Sequence, residues 1–119
     1  MTTHSKRQLW VKLHTRITRI THWSWAVSSF ILLLTGLQIF NAHPILYWGD
    51  QSGFAFDNSV FAVYGADGSG HIEFGSLRIP TTGLFGWSGD TAQAFPAWAT
   101  IPSKIDLATG RVIHFFFAW

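Results

Sequence analysis

The sequence predicts an all-α membrane protein, and three observations carry that prediction. The chain of 119 residues is 48% hydrophobic and only 12% charged, whereas soluble domains carry about 25% charged residues. Positions 20–49 contain no Asp, Glu, Lys or Arg. Five of the eight basic residues lie in the first 19 positions, before that stretch. The apolar content excludes intrinsic disorder, and the length allows one domain at most.

Residues 1–19 are predicted to form a basic cytoplasmic arm, and residues 20–40 the first transmembrane helix. A helix over 20–40 is about 31 Å long at 1.5 Å per residue, which matches the hydrocarbon core of a bilayer. Trp23, Trp25 and Trp48 flank it, as interfacial aromatics do. Because basic residues mark the cytoplasmic side, residues 41–110 are expected outside and the N-terminus inside.

Three other interpretations of this segment are weaker. A cleaved signal peptide would have a shorter apolar run followed by an A-x-A site, which the sequence lacks. A buried helix of a soluble protein would show one polar face. Nucleic-acid binding is not needed to explain the basic arm, since membrane topology alone accounts for basic residues beside a membrane span. The predicted contact is therefore membrane lipid, and no nucleic-acid partner is expected.

Residues 41–105 are predicted to be a long extracytoplasmic loop that contains a β-hairpin. Its strands are expected at 59–64 and 71–74, on either side of a glycine-rich turn at 65–70. The Asp-Gly-Ser-Gly run in this turn has too few ligands for a calcium loop, so a plain turn is expected. A loop of this length is usually ordered by a function or by a partner.

Residues 106–119 are predicted to start a second transmembrane helix. Asp106 is placed to cap a helix that begins near Leu107. The apolar character is still rising at Trp119, and the eight residues after Arg111 are too few to cross a bilayer. We therefore expect a truncated helix and a fragment of a longer protein. A genuine C-terminus docked on a partner is the alternative.

The same short motif, R-x-x-H-aromatic, occurs where each predicted helix enters the membrane. It reads Arg19-Ile-Thr-His22-Trp in the first helix and Arg111-Val-Ile-His114-Phe in the second. Positions i and i+3 share a helix face, so each His lies one turn deeper than its Arg. An ionisable residue at that depth indicates a functional site.

Haem binding explains the motif with few assumptions. The absence of cysteine excludes iron–sulfur clusters, thiolate zinc sites and covalently attached haem. A neutral imidazole ligates iron, and an Arg suits the haem propionates. His22 and His114 are therefore predicted axial ligands of b-type haem, with Arg19 and Arg111 as propionate partners. A centre with two His ligands transfers electrons only.

Gly36 is the fifth candidate site residue. It shares a helix face with His22 and lies about 21 Å further along the axis, where it would clear space for a second haem at His114. The alternatives are ordinary helix packing through small residues and interfacial imidazoles that bind nothing. A zinc site formed by His43 and His71 is weaker, because the pair is distant in sequence and has no thiolate.

At these residues the sequence resembles the bacterial transmembrane di-haem b-type cytochromes, the cytochrome b subunits of hydrogenases, formate dehydrogenases and thiosulfate reductases. The matching stretches are 19–40, 43–50 and 106–119. The resemblance implies a four-helix haem-binding bundle in the bacterial inner membrane, with two b haems whose opposing ligands come from a fourth helix. Helices three and four are absent here, so ligation within this chain is incomplete.

The resemblance implies a membrane electron-transfer subunit rather than an enzyme that acts on a substrate itself. Its partners would be the membrane quinone and a redox subunit docked on the outer loop. The alternative is a single-span anchor whose Trp- and Gly-rich outer region binds a partner without any cofactor.

The charge pattern predicts the topology directly. Alkaline phosphatase fused after Asp50 should be active, because the positive-inside rule puts that position outside the cytoplasm. The same enzyme fused after Arg16 should be inactive, and the reverse pair of activities would overturn the orientation.

Overall fold

The computed structural model describes residues 14–119, which form two helices and two antiparallel β-sheets. The predicted basic arm at 1–19 lies largely outside the described residues. The elements, in chain order, are α1 (Arg16–Phe40), β1 (Ile45–Tyr47), β2 (Ser59–Ala66), β3 (Ser69–Phe74), β4 (Leu77–Pro80), β5 (Gly86–Ser88), β6 (Thr91–Gln93), a 3₁₀ turn (Ala97–Ala99) and α2 (Leu107–Ala118).

The predicted all-α class is wrong, because the chain between the helices folds into strands. One sheet has four strands in the order β1-β2-β3-β4, and the second pairs β5 with β6. Four of the six strands have only three or four residues. Strands this short show no sequence periodicity and are stabilised by their pairing partners. The fold is therefore mixed α/β.

Helix α1 is long and apolar enough to cross a membrane, and it is the only such helix within residues 14–119. It begins four residues before the predicted span, because the Thr15 side chain caps it by accepting a hydrogen bond from the Thr18 amide at 3.2 Å. Its 25 residues extend about 37 Å. Most of its large apolar side chains are exposed, including Trp25 at 75% and Phe30 at 62%.

The predicted hairpin is present as β2 and β3. The strands extend two residues further into the glycine-rich segment than expected, so that Ala66 pairs with Ser69. Asp67 and Gly68 alone form the turn, and both have positive φ, at 50° and 81°. This is the pattern of a type I′ turn. The Asp-Gly-Ser-Gly run is therefore a plain hairpin turn, as expected.

The second sheet packs directly against the first through glycines. A Cβ atom on Gly65 of β2 would lie 1.8 Å from the carbonyl oxygen of Gly86, and one on Gly70 of β3 would lie 2.1 Å from that of Phe85. Only residues without a side chain allow two backbones to approach so closely. These glycines therefore define how β5 lies on the β2–β3 hairpin.

Helix α2 runs antiparallel to α1. Asp106 caps it, as predicted, by accepting a hydrogen bond from the Thr109 amide at 3.0 Å. Gly110, near the start of α2, lies against Gln38, near the end of α1. The last residues of α2 instead line a hollow with positions 25–32 of α1. The two helices thus bring His114 beside the C-terminal half of α1.

The glycine contact between the sheets predicts a steric effect of substitution. Gly65→Ala should destabilise the folded chain by about 3 kcal/mol, because its methyl group overlaps the Gly86 carbonyl. The matched control is Gly75→Ala, where φ is +55° but the space is open, at a cost of about 1 kcal/mol. Urea unfolding in detergent, followed by near-UV circular dichroism, measures both. Equal stability of the two variants would contradict this packing.

Candidate functional site

Three polar side chains form a stripe on the otherwise apolar C-terminal part of α1. Thr35, Gln38 and Asn41 are spaced three residues apart, which puts them on one side of the helix. Thr35 is 0% exposed and Gln38 is 2% exposed. Buried polar groups need hydrogen-bond partners, and each of these side chains has one in the chain beyond the sheets.

Gln38 and Asn41 attach the segments on either side of the 3₁₀ turn to the end of α1. The Gln38 amide donates to the Lys104 carbonyl at 2.8 Å, and its oxygen accepts from the Asn41 amide at 3.2 Å. The Asn41 oxygen in turn accepts from the backbone N–H of Phe95 at 3.0 Å. This network of amides fixes the position where α2 begins.

Gly110 lets α2 approach that network closely. A Cβ on Gly110 would lie 3.0 Å from Cγ of Gln38, tighter than ordinary contact. One helical turn further along α2, the half-buried His114 reaches the same face of α1. The glycine and the histidine thus face α1 together.

His114 contacts two consecutive residues of α1. Its Nδ1 lies 2.8 Å from the hydroxyl oxygen of Thr35. Its Cε1 lies 3.6 Å from the position of a Cβ on Gly36. The structure therefore brings two predicted site residues, His114 and Gly36, into contact, and adds Thr35, which the sequence reasoning missed.

His22 has different surroundings. It is exposed on α1 and lies edge-on to Trp23 at 6.0 Å between ring centroids. Together with Arg19 and His14 it lines a hollow of about 260 Å³. The helix thus places Arg19 and His22 at one surface, as their spacing predicts. Gly36 lies about 21 Å along the axis from His22, so the two imidazoles occupy separate levels of α1.

The two arginines of the repeated motif are free of protein anions in the described chain. Within residues 14–119 every ion pair involves Glu73, and both Arg19 and Arg111 are exposed. Arg111 lines a groove on α2 with Val112 and Phe115, beside the face that holds His114 rather than on it.

His43 and His71 do not form the zinc site considered from the sequence. His43 stacks on Tyr47 and lies 3.0 Å from its hydroxyl. His71 lies 3.5 Å from Glu73, which also binds Arg78. Within residues 14–119 no three potential metal ligands cluster. Each of these imidazoles is thus part of a local contact in the outer sheet region.

The residues present suit haem at His114 better than at His22. An imidazole whose Nδ1 is hydrogen-bonded to the protein leaves Nε2 available to bind iron. Beside this ring, Gly36 contributes no side chain to the surface of α1. At His22 an imidazole is also present, but within residues 14–119 no hydrogen bond fixes the orientation of its ring. The spacing of Thr35, Gln38 and Asn41 in an apolar run was the signal that would have found the missing positions.

Comparisons with protein-family models, with curated proteins and with solved structures found no match.

The cap of α2 predicts a pH dependence of the helix that carries His114. Hydrogen bonds from the Thr109 amide, and then from its hydroxyl, hold the pKa of Asp106 below the ordinary value of 3.8. Because the pKa of Asp106 is lower in the folded chain than in the unfolded chain, the ionised carboxylate stabilises the fold at pH values above the ordinary pKa. That stability is lost as the pH falls through the pKa of the folded state. Helicity measured by far-UV circular dichroism should therefore fall below pH 3.8.

The control for this prediction is Asp106→Asn. Asparagine also caps helices but carries no titrating carboxyl, so it should remove the acid-dependent part of the change. Asp106→Ala should lower helicity at every pH. An Asp106→Asn variant with the wild-type acid profile would refute the assignment to this carboxylate.

Proposed function

We propose that the chain is a membrane electron-transfer subunit that binds b-type haem through His22 and His114. It passes electrons between the quinone pool and a partner redox enzyme. The observation that carries the proposal is the His114 imidazole at the contact of α1 and α2, with Nδ1 bonded to Thr35 and Gly36 beside it. The resemblance of the R-x-x-H-aromatic strings to di-haem b-type cytochromes supports it.

The exposed surface of the helices supports a membrane location. Seven large apolar residues of α1 and four of α2 are exposed, namely Ile17, Ile20, Trp23, Trp25, Val27, Phe30, Leu33, Leu107, Val112, Phe115 and Phe116. Patches of this size are unfavourable in water, whereas lipid or further helices would cover them. We assign the chain to the bacterial inner membrane with its N-terminus in the cytoplasm.

In this proposal the histidines bind iron, the arginines bind the haem propionates and the apolar side chains exclude water. His22 and His114 would hold iron, and bound b-type haem would supply reversible one-electron transfer. Arg19 and Arg111 would bind the propionates as charge-assisted partners. The apolar faces of α1 and α2 exclude water from the site. Because the two imidazoles lie at different levels of α1, they would serve two haems, one near each side of the membrane.

The outer sheets are the surface that we assign to the partner redox subunit. Trp48 is 80% exposed, Phe54 is 95% exposed and Phe56 is 62% exposed, all in the connection between β1 and β2. Exposed aromatic side chains are enriched at protein interfaces.

The same observation favours the second candidate, a single-span anchor that binds a partner through its outer region. In that case the protein needs no cofactor. The two candidates share the outer contact surface and differ only in whether the helices bind haem.

Haem titration of the chain in lipid nanodiscs separates them. Haemin is added with imidazole as a soluble sixth ligand, so that each protein histidine need supply only one axial ligand. The wild type should give a low-spin Soret band that saturates near two haems per chain. His22→Ala and His114→Ala should each remove about half of it, since each residue serves one haem.

The matched control is His71→Ala, which removes an imidazole from the outer sheet. It should bind haem as the wild type does. The double variant should behave like nanodiscs without protein. Wild-type chains that insert into the membrane but bind no more haem than the double variant would refute the proposal and favour the anchor.

A further inference from the structure

We infer that Thr35 is a positioning residue that fixes the tautomer of His114 and thereby presents Nε2 to the metal. The inference rests on the proposed function, because it assigns the atom of His114 that would bind iron.

The Thr35 hydroxyl has one proton and three neighbours. Its oxygen lies 2.8 Å from the Ile31 carbonyl, 3.2 Å from the Leu32 carbonyl and 2.8 Å from Nδ1 of His114. Carbonyl oxygens only accept, and threonine in a helix commonly donates to the preceding turn, so we assign the hydroxyl proton to a bond within α1. The bond to His114 must then run the other way, with Nδ1–H as the donor.

A neutral imidazole has one N–H, so a proton on Nδ1 leaves Nε2 bare. Nε2 has no hydrogen-bond partner among residues 14–119 and is not one of the enclosed unpaired atoms there. A bare, accessible imidazole nitrogen is the form that binds a metal ion. Ligating histidines generally donate their other N–H to a partner that fixes the ring.

Thr35 is rigid enough to set the orientation of the ring. It is 0% exposed, its β-branch restricts χ1 in a helix, and its hydroxyl is bonded to the preceding turn. Gly36 lies against the adjacent ring atom, because a Cβ there would be 3.6 Å from Cε1. Thr35 and Gly36 together thus hold the Nδ1–Cε1 edge of the ring against α1.

The two proposed ligands are therefore inequivalent. His22 is exposed, and no hydrogen bond of its ring occurs within residues 14–119. His114 has its tautomer and orientation fixed before any metal binds. The site at His114 should consequently bind haem more tightly than the site at His22.

The first test reads the tautomer without haem. Ring-nitrogen chemical shifts of His114 in the wild type, above the pH at which the ring is protonated, should report the Nδ1–H form. Thr35→Val keeps the shape and removes the acceptor, so the Nε2–H form should appear. Thr35→Ser keeps the hydroxyl and should restore the wild-type spectrum. Thr21→Val, an exposed position on the same helix, is the control.

The second test measures haemin affinity in the His22→Ala background, so that only His114 binds. Thr35→Val should weaken binding about 10- to 100-fold, as loss of an outer partner of a ligating histidine does. Thr35→Ser should remain close to the parent. Far-UV circular dichroism checks that each variant keeps its helices. If the valine variant does not fold, the comparison of Thr35→Ser with the parent still tests the role of the hydroxyl.

Failure of this inference is distinct from failure of the proposed function. An unchanged tautomer and an unchanged affinity in Thr35→Val, with haem still bound through His114, would overturn the role of Thr35 alone. If instead the wild type has the Nδ1–H form but shows no haem binding that depends on His114, the tautomer assignment stands and the haem proposal is refuted.

Discussion

The stripe of hydrogen-bonding side chains along the end of α1 is the constraint on which the arrangement of this chain depends. Gln38 is buried in an apolar helix, so its amide must be satisfied, and the Lys104 carbonyl satisfies it. That bond places the start of α2 against α1, and Gly110 permits the close approach. The contact between Thr35 and His114 one turn away follows from it. Loss of the amide network would release the helix pair and the imidazole together.

The same network links the proposed electron-transfer site to the outer sheets. Asn41 bonds to both Gln38 and the backbone of Phe95, so the sheet region and the helix pair meet at one point of the chain. A partner docked on the exposed aromatic side chains would therefore sit on a structure that is anchored to the helices. This continuity is consistent with the proposed role of a subunit that joins a membrane carrier to a redox enzyme.

Sequence reasoning recovered the features that local patterns encode. The apolar run predicted a membrane-length helix, Asp106 predicted the start of α2, and the glycine-rich turn predicted the β2–β3 hairpin. It missed the other strands, because three- and four-residue strands have no periodicity, and it therefore assigned the wrong fold class. It found His114 and Gly36 separately but overlooked Thr35, because the spacing of Thr35, Gln38 and Asn41 along the apolar helix was not considered.

The sequence by itself determined hydropathy, charge asymmetry and the two R-x-x-H-aromatic strings, because these are properties of consecutive residues and are independent of folding. Only the tertiary structure decided which nitrogen of His114 is engaged and which helix face it meets, since Thr35 and His114 are 79 positions apart. It likewise decided that β5 lies on β2 and β3, through glycines whose close approach no local pattern reveals. Contacts between distant residues depend on the path of the whole chain.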